Sequence, residues 1–149
     1  MTKADRAKEL FLEGYNCAQA VFGAFCEDFG IDFDLGVKLS AGFGGGFSRR
    51  REVCGAVSGA VLALSMKHGY TDAKASEEKK NLYENIRKVL ADFEGETGSI
   101  ICRDLLDLDE KVSSPVPSER TEKYYAKRPC PELVYISAKY VEEHLENLK

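Results

Sequence analysis

Four cysteines stand where the sequence predicts that helices begin. Cys17, Cys54, Cys102 and Cys130 each follow a loop or a capping residue and precede a helical pattern. A helix N-terminus carries unpaired backbone N–H groups and the positive end of the helix dipole, and both stabilise a thiolate over a thiol. The sequence therefore predicts sulfur chemistry, either as metal ligation or as redox reactions of the thiols.

These four cysteines lie far apart along the chain, and no Cys-x-x-Cys pair occurs. Zinc ribbons, ferredoxin loops and thioredoxin-type redox centres all use such local pairs. A shared site must therefore be assembled by the tertiary fold from separate helix starts. Several thiolates at positive dipole ends favour a metal or an iron–sulfur cluster, and two reversible disulfides would use the same thiolates.

The fifth cysteine, Cys26, is predicted to lie outside this site. It shares a predicted helix with Cys17 but stands about 180° around the helix axis, so the two side chains cannot point into one site. We expect Cys26 to fill space in the core as a small apolar residue.

A glycine-rich stretch precedes Cys54. Gly44, Gly45 and Gly46 would disrupt a helix, so we expect a loop in which glycine permits close approach or positive φ. A bulky inorganic centre would fit beside such a loop, although a tight turn between packed helices needs the same residues. The stretch is not a phosphate-binding loop, because it lacks the Gly-Lys-Ser/Thr of that motif. It is not a dinucleotide-binding motif either, because it follows no predicted strand.

Other charged residues are weaker candidates. The basic run Arg49 to Arg51 would lower the pKa of Cys54 if it lay nearby, but such a run is more often a solvated surface. His68 is expected to interact with a helix C-terminus and His144 to lie on the surface, so neither is expected to ligate a metal.

Helices must position all of these residues. The spacing of apolar residues predicts helices at 2–14, 17 to about 28, about 34–41, 54–68, 76 to about 93, and from Cys130 through Leu145. In the helix at about 34–41, Leu35 and Leu39 are predicted to point inward. A short helical turn is predicted after Cys102. No stretch alternates with period two, and Ser99-Ile100-Ile101 is too short for a strand. The fold class is therefore an all-α, single-domain bundle of about five or six helices over 1–149.

Two segments of this bundle have special roles. The helix at about 54–68 is apolar nearly all round and is predicted to be the buried central helix. Its stripe of Gly55, Gly59 and Ala63 suits close approach of another helix, inside the bundle or in a homodimer. The polar stretch 107–129, with its prolines, is predicted to be a surface excursion.

Composition limits the function. The chain is 44% hydrophobic and 31% charged. At this length it can bury one hydrophobic core without disulfide bonds to stabilise it. Its formal charge of −4 argues against a nucleic-acid partner. No apolar stretch suits a signal peptide or a membrane span, so we expect no membrane partner and a cytoplasmic location. Cysteine clusters in a reducing compartment more often bind metal or do redox work.

Several segments of the sequence resemble a known family. The segments Gly14-Tyr15-Asn16-Cys17-Ala18-Gln19-Ala20-Val21, the Phe43 to Phe47 loop, Cys54-Gly55-Ala56-Val57-Ser58-Gly59-Ala60 and the single Cys102 and Cys130 look like the C_GCAxxG_C_C family of redox-active proteins. The resemblance covers about residues 5 to 147, and the match to the central motif is on Cys-Gly-Ala-x-x-Gly, since Val53 precedes Cys54.

The resemblance implies that Cys17, Cys54, Cys102 and Cys130 are the family cysteines and leaves Cys26 outside. The family is similar to the N-terminal part of split-Soret cytochrome c, which implies an iron–sulfur centre. No Cys-x-x-Cys-His haem attachment site occurs, so covalent haem is not expected.

Three hypotheses follow. The first is a redox protein, for electron transfer with a partner protein or for redox sensing. In this hypothesis, three or all four of Cys17, Cys54, Cys102 and Cys130 ligate an iron–sulfur cluster of the 2Fe-2S type near Gly44, Gly45 and Gly46. The second is a structural zinc protein with a four-thiolate site. The third is a thiol–disulfide protein with Cys54 as the nucleophile.

Overall fold

The computed structural model describes residues 1–108 and 112–149. Its helices, in chain order, are α1 (Lys3–Glu13), α2 (Cys17–Cys26), α3 (Phe33–Ser40), α4 (Gly44–Phe47), α5 (Gly55–His68), α6 (Ser76–Thr97), α7 (Cys102–Leu105), α8 (Glu122–Lys127) and α9 (Cys130–Asn147). Within the described residues six helices span eight residues or more, and the only β-pairing is an isolated antiparallel bridge between Val53 and Ile101. The all-α bundle is confirmed.

Helix α5 is the central helix, as its composition predicted. It packs against α2, α6 and α9, and its residues from Gly55 to Ala60 are buried. The glycine stripe is used inside the bundle, because a Cβ added to Gly59 would lie 2.8 Å from the Ala18 carbonyl oxygen and 2.9 Å from Val21 Cβ. Glycine is therefore needed for α2 to approach α5 so closely.

The start of α2 is fixed by a reciprocal cap. Asn16 accepts a hydrogen bond from the Gln19 backbone N–H at 3.0 Å, and the Gln19 side chain accepts one from the Asn16 N–H at 3.0 Å. Asn16 also donates to the Ala41 carbonyl at 2.9 Å, which joins the start of α2 to the residues just before α4.

The prediction that Leu35 and Leu39 point inward is wrong. They are 58% and 59% exposed, while Gly36 and Ser40 are buried. Helix α3 presents small residues to α2 because a Cβ on Gly36 would collide with Cys26 Sγ. The two leucines are left on the opposite, outer face.

The polar segment from 107 to 129 contains α8 and is attached to the helices beneath it. Arg120 donates hydrogen bonds to the carbonyls of Phe11 and Tyr15, the latter at 2.8 Å, and its guanidinium lies over the Phe11 ring. Residues 109–111 of this predicted surface excursion lie outside the described residues.

None of the described helices has both the length and the apolar character that crossing a membrane requires.

Candidate functional site: a cysteine cavity

The structure brings the four predicted cysteines together. Cys17, Cys102 and Cys130 are the first residues of α2, α7 and α9, and Cys54 is the N-cap of α5. All four line one cavity of about 470 Å³, and all are free thiols. We call this space the cysteine cavity.

Cys26 lies elsewhere, at the far end of α2. Its Sγ donates to the Phe22 carbonyl at 3.3 Å, it contacts α3 at Gly36, and it does not line the cysteine cavity. Its position in the core agrees with the expectation from helix phase.

Backbone pairing brings the starts of α5 and α7 side by side. The Cys54 N–H donates to the Ile100 carbonyl at 2.8 Å, and the Cys102 N–H donates to the Glu52 carbonyl at 2.6 Å. The isolated bridge between Val53 and Ile101 lies between these two bonds. The stretch that was too short to predict as a strand is therefore what aligns two of the four cysteines.

The glycine-rich residues Gly44–Phe47 form the short element α4, but Gly45 and Gly46 have non-helical φ and ψ, so the chain bends here as the glycines predicted. We call this stretch the glycine loop. Gly45 and Gly46 have φ of 67° and 71°, and a Cβ on Gly46 would lie 2.6 Å from the Glu52 nitrogen and 2.9 Å from Cys102 Cβ. Gly44 packs against Asn16 with no room for a side chain. Gly44 and Gly45 line the cavity, whereas Gly46 packs behind Cys102. Backbone geometry therefore accounts for these glycines.

The thiols interact strongly with one another. A hydrogen bond from the Cys17 thiol lowers the pKa of Cys130 to about 7, and the positive charges of Arg128 and Arg51 act in the same direction. The same hydrogen bond, together with burial, raises the pKa of Cys17 well above its ordinary value. Cys130 is therefore the more acidic thiol of this pair.

The other two thiols are held neutral by burial. Burial raises the pKa of Cys54 to about 12, and it raises the pKa of Cys102 against the opposing effect of Arg51. The hypothesis of a thiol–disulfide protein expected the lowered pKa at Cys54. In the structure the lowered pKa belongs to Cys130 instead.

Arg51 is the residue of the basic run whose guanidinium contacts a cavity thiol. It is 4% exposed; its Nη1 donates to Cys102 Sγ at 3.7 Å and its Nε donates to Ser113 Oγ at 2.9 Å. Arg50 is exposed and pairs with Glu52 at 3.5 Å. The expectation of a wholly solvated run is therefore wrong for Arg51, and no sequence pattern distinguishes it from its neighbour.

Further lining residues come from the basic run and from the segment after Ser113, and sequence reasoning did not connect that segment with the site. Arg49 donates to the Ser114 carbonyl and to Ser118 Oγ, so the segment after Ser113 closes one side of the cavity. Tyr124 of α8 and Arg128 also line it. Burial raises the pKa of Tyr124 to about 12.

The donor set has the chemistry of a soft-metal or iron–sulfur site, since four thiols face one space. In the described part of the chain, however, no three His, Cys, Asp or Glu side chains are grouped so as to hold a metal ion. The thiols pair with neighbours instead, Cys17 with Cys130 and Cys102 with Arg51. Ligation would require these side chains to exchange such contacts for bonds to the metal.

A histidine pair outside the cavity was not predicted. His68, at the end of α5, and His144, on α9, approach with their Nε2 atoms 2.9 Å apart. His144 is 6% exposed, so the expectation of a surface residue is wrong. Its position one turn after the buried Val141 was the signal that places it on the inner face of α9.

Comparison with known proteins identifies the family of this chain. A family model described as "Putative redox-active protein (C_GCAxxG_C_C)" matches residues 15–144. An uncharacterised protein of Archaeoglobus fulgidus is 34% identical over 85 residues, which are 54% of each chain, so this chain spans about half the length of that relative. No solved structure matches the chain. Because the family match covers most of the chain, the chain belongs to the C_GCAxxG_C_C family.

Proposed function

We propose that the protein works as an electron-transfer or redox-sensing protein in which Cys17, Cys54, Cys102 and Cys130 ligate an iron–sulfur cluster of the 2Fe-2S type. One observation carries this proposal: four cysteines from four separate helix starts line one cavity, while the fifth is buried elsewhere. If the cysteines served only as small apolar core residues, nothing would require four of them to line one cavity.

The charges around the cavity support a centre built from several thiolates. Arg51 donates to Cys102, and Arg128 and Arg51 lower the pKa of Cys130. Hydrogen bonds to sulfur and nearby cationic groups stabilise thiolate ligands and set the reduction potential of the group they hold. A bound 2Fe-2S cluster would supply one-electron transfer.

The raised pKa values of Cys17, Cys54 and Cys102 have a consequence for binding. These thiols must lose their protons to become ligands, so metal uptake releases protons and strengthens as the pH rises. A reducing cytoplasm would keep all four thiols available for ligation.

Reconstitution tests the proposal. Anaerobic addition of iron and sulfide should give visible absorption and, after reduction, an EPR signal in the parent and in Cys26→Ser, but not in Cys54→Ser. Absence of a chromophore in the parent, or an equal chromophore in Cys54→Ser, contradicts the cluster. Zinc bound at one per chain regardless of iron supply would instead favour the four-thiolate structural site.

A second candidate function rests on Cys17 and Cys130, which line the same cavity and whose thiols shift each other's pKa in opposite directions. In a thiol–disulfide protein, their two sulfurs would form one S–S bond and release two protons. The two electrons would reduce the disulfide of a partner protein to two thiols. Free-thiol counts before and after mild oxidation test this: the count should fall by two in the parent and stay constant in Cys17→Ser.

A further inference from the structure

The wall of the cysteine cavity is strongly cationic. Four arginines line it, and none of its described lining residues is Asp or Glu. The chain as a whole carries a formal charge of −4, so this concentration of positive charge is local. The lining arginines are Arg49, Arg51, Arg120 and Arg128. A cleft lined by one charge sign focuses the electric field and attracts ions of the opposite sign.

Three of these arginines have protein partners for their guanidinium groups. Arg51 binds Cys102 and Ser113, Arg120 binds the carbonyls of Phe11 and Tyr15, and Arg49 binds residues 114 and 118. These hydrogen bonds show that the three arginines join the segments around the cavity.

Arg128 is different. Among the described residues its guanidinium donates no hydrogen bond to a protein group. It lies over the Tyr124 ring, with 5.6 Å from Cζ to the ring centroid. The side chain is half-buried, and its charge acts on Cys130 and Cys102. A guanidinium that faces a cavity in this way presents a planar fork of N–H donors that matches the oxygens of a carboxylate or a phosphate.

We infer that the cysteine cavity binds a small oxyanion-bearing molecule on Arg128, beside the thiols. The volume of about 470 Å³ falls in the range of small-molecule sites. Because Arg128 and Cys130 line the same cavity, an anion bound to Arg128 would lie beside the thiols. The inference rests on the proposed function only in making this anion the substrate or effector of the redox centre; the binding itself does not require a cluster.

Titration calorimetry with inorganic phosphate, and in a parallel arm with malonate, tests the inference. Both arms use the fully reduced protein and the reconstituted protein at constant ionic strength. We expect saturable binding that Arg128→Gln weakens by about 10-fold or more and that Arg128→Lys weakens less, since a charge-assisted hydrogen bond is lost. Arg50→Gln is the matched control, because Arg50 is an exposed arginine outside the cavity. The two arms distinguish a phosphate from a carboxylate as the recognised group.

Three results would overturn the inference: no saturable binding of either anion, unchanged affinity in Arg128→Gln, or an equal loss in Arg50→Gln. Circular dichroism of each variant shows whether it folds. If Arg128→Gln does not fold, the affinity of Arg128→Lys tests the inference. If no cluster assembles but phosphate or malonate binds the reduced protein, the proposed cluster fails and the anion site stands. If the cluster assembles and neither anion binds, the anion site alone fails.

Discussion

Arg51 donates a hydrogen bond from Nη1 to Cys102 Sγ at 3.7 Å, and the same guanidinium is fixed through Nε to Ser113 at 2.9 Å. A buried cation therefore joins the glycine loop, the start of α7 and the segment after residue 112. Burial raises the pKa of Cys102, and Arg51 opposes that rise. The arginine thus affects both the packing of the cavity wall and the chemistry of one of its sulfurs.

Replacing Arg51 by Gln should destabilise the protein and make Cys102 less reactive. The change leaves Cys102 and Ser113 without a charged partner, at a cost of about 1–3 kcal/mol in the free energy of unfolding. Loss of the opposing charge should raise the pKa of Cys102 further, so its alkylation should be slower at any pH below that pKa.

Urea denaturation and site-resolved mass spectrometry after alkylation measure the two effects. Arg50→Gln is the matched control, since Arg50 is exposed and pairs only with Glu52 among the described contacts. If Arg51→Gln and Arg50→Gln behave alike in both measurements, Arg51 has no special role.

The helix starts of the cysteines were predictable because local sequence determines them. Asn16 forms its capping box with Gln19, and Pro131 suits the first turn of α9. The central helix was predictable because it is apolar on every face. These features depend on residues that are near one another in the chain.

The cavity wall was not predictable, because it depends on contacts between distant segments. Arg51 and Arg50 look alike in sequence, and only the fold buries one of them. Arg128 lies in a polar segment whose composition is typical of a surface, yet the attachment of Arg120 to Tyr15 holds the segment against the cavity. The predicted inward face of α3 was wrong, because Gly36 rather than Leu35 faces α2.

Adding a methyl group to Gly46 should damage the cavity. The residue has φ of 71°, and its added Cβ would lie 2.6 Å from the Glu52 nitrogen and 2.9 Å from Cys102 Cβ. Gly46→Ala should therefore lose about 1–3 kcal/mol of stability from backbone strain alone. Thermal or urea denaturation measures this loss.

Gly42→Ala is the control within the same loop. A Cβ there meets nothing within 4 Å, and the residue has no positive φ. We expect little loss or a small gain in stability, because alanine restricts the unfolded chain. Equal destabilisation by the two substitutions would show that the loop tolerates side chains equally and would remove the geometric argument for Gly46.

The pair of His68 and His144 should make stability depend on pH. Burial lowers the pKa of both residues, with Lys67 acting on His68, and with His68 and Lys88 acting on His144. A histidine whose folded-state pKa is lowered binds fewer protons in the folded state. Its contribution to stability is complete above the unfolded value of 6.5 and is lost as the pH falls through the lowered folded value.

Urea midpoints between about pH 7.5 and about pH 5 measure this dependence. The parent should lose stability over this interval, and the double variant His68→Gln with His144→Gln should lose less, whatever its stability at neutral pH. Parallel curves for the two proteins would assign the pH dependence to other groups.

Removing the thiol of Cys17 should change the acidity of Cys130. The hydrogen bond from Cys17 is the largest cause that lowers the pKa of Cys130 to about 7, and the ordinary value is 9.0. In Cys17→Ala the pKa should rise towards that ordinary value, although Arg128 and Arg51 still oppose the full rise. Because alkylation requires the thiolate, the rate at Cys130 near neutral pH should fall several-fold, and its pH profile should move to higher pH.

Cys26→Ala is the control, since Cys26 lies in the core and outside the cavity. Its pH profile for Cys130 should match that of the parent. An unchanged profile in Cys17→Ala would mean that the arginines alone set the acidity of Cys130. In that case the pairing of the two thiols would no longer support a disulfide between them, and the cluster would be left as the better account of why four cysteines share one cavity.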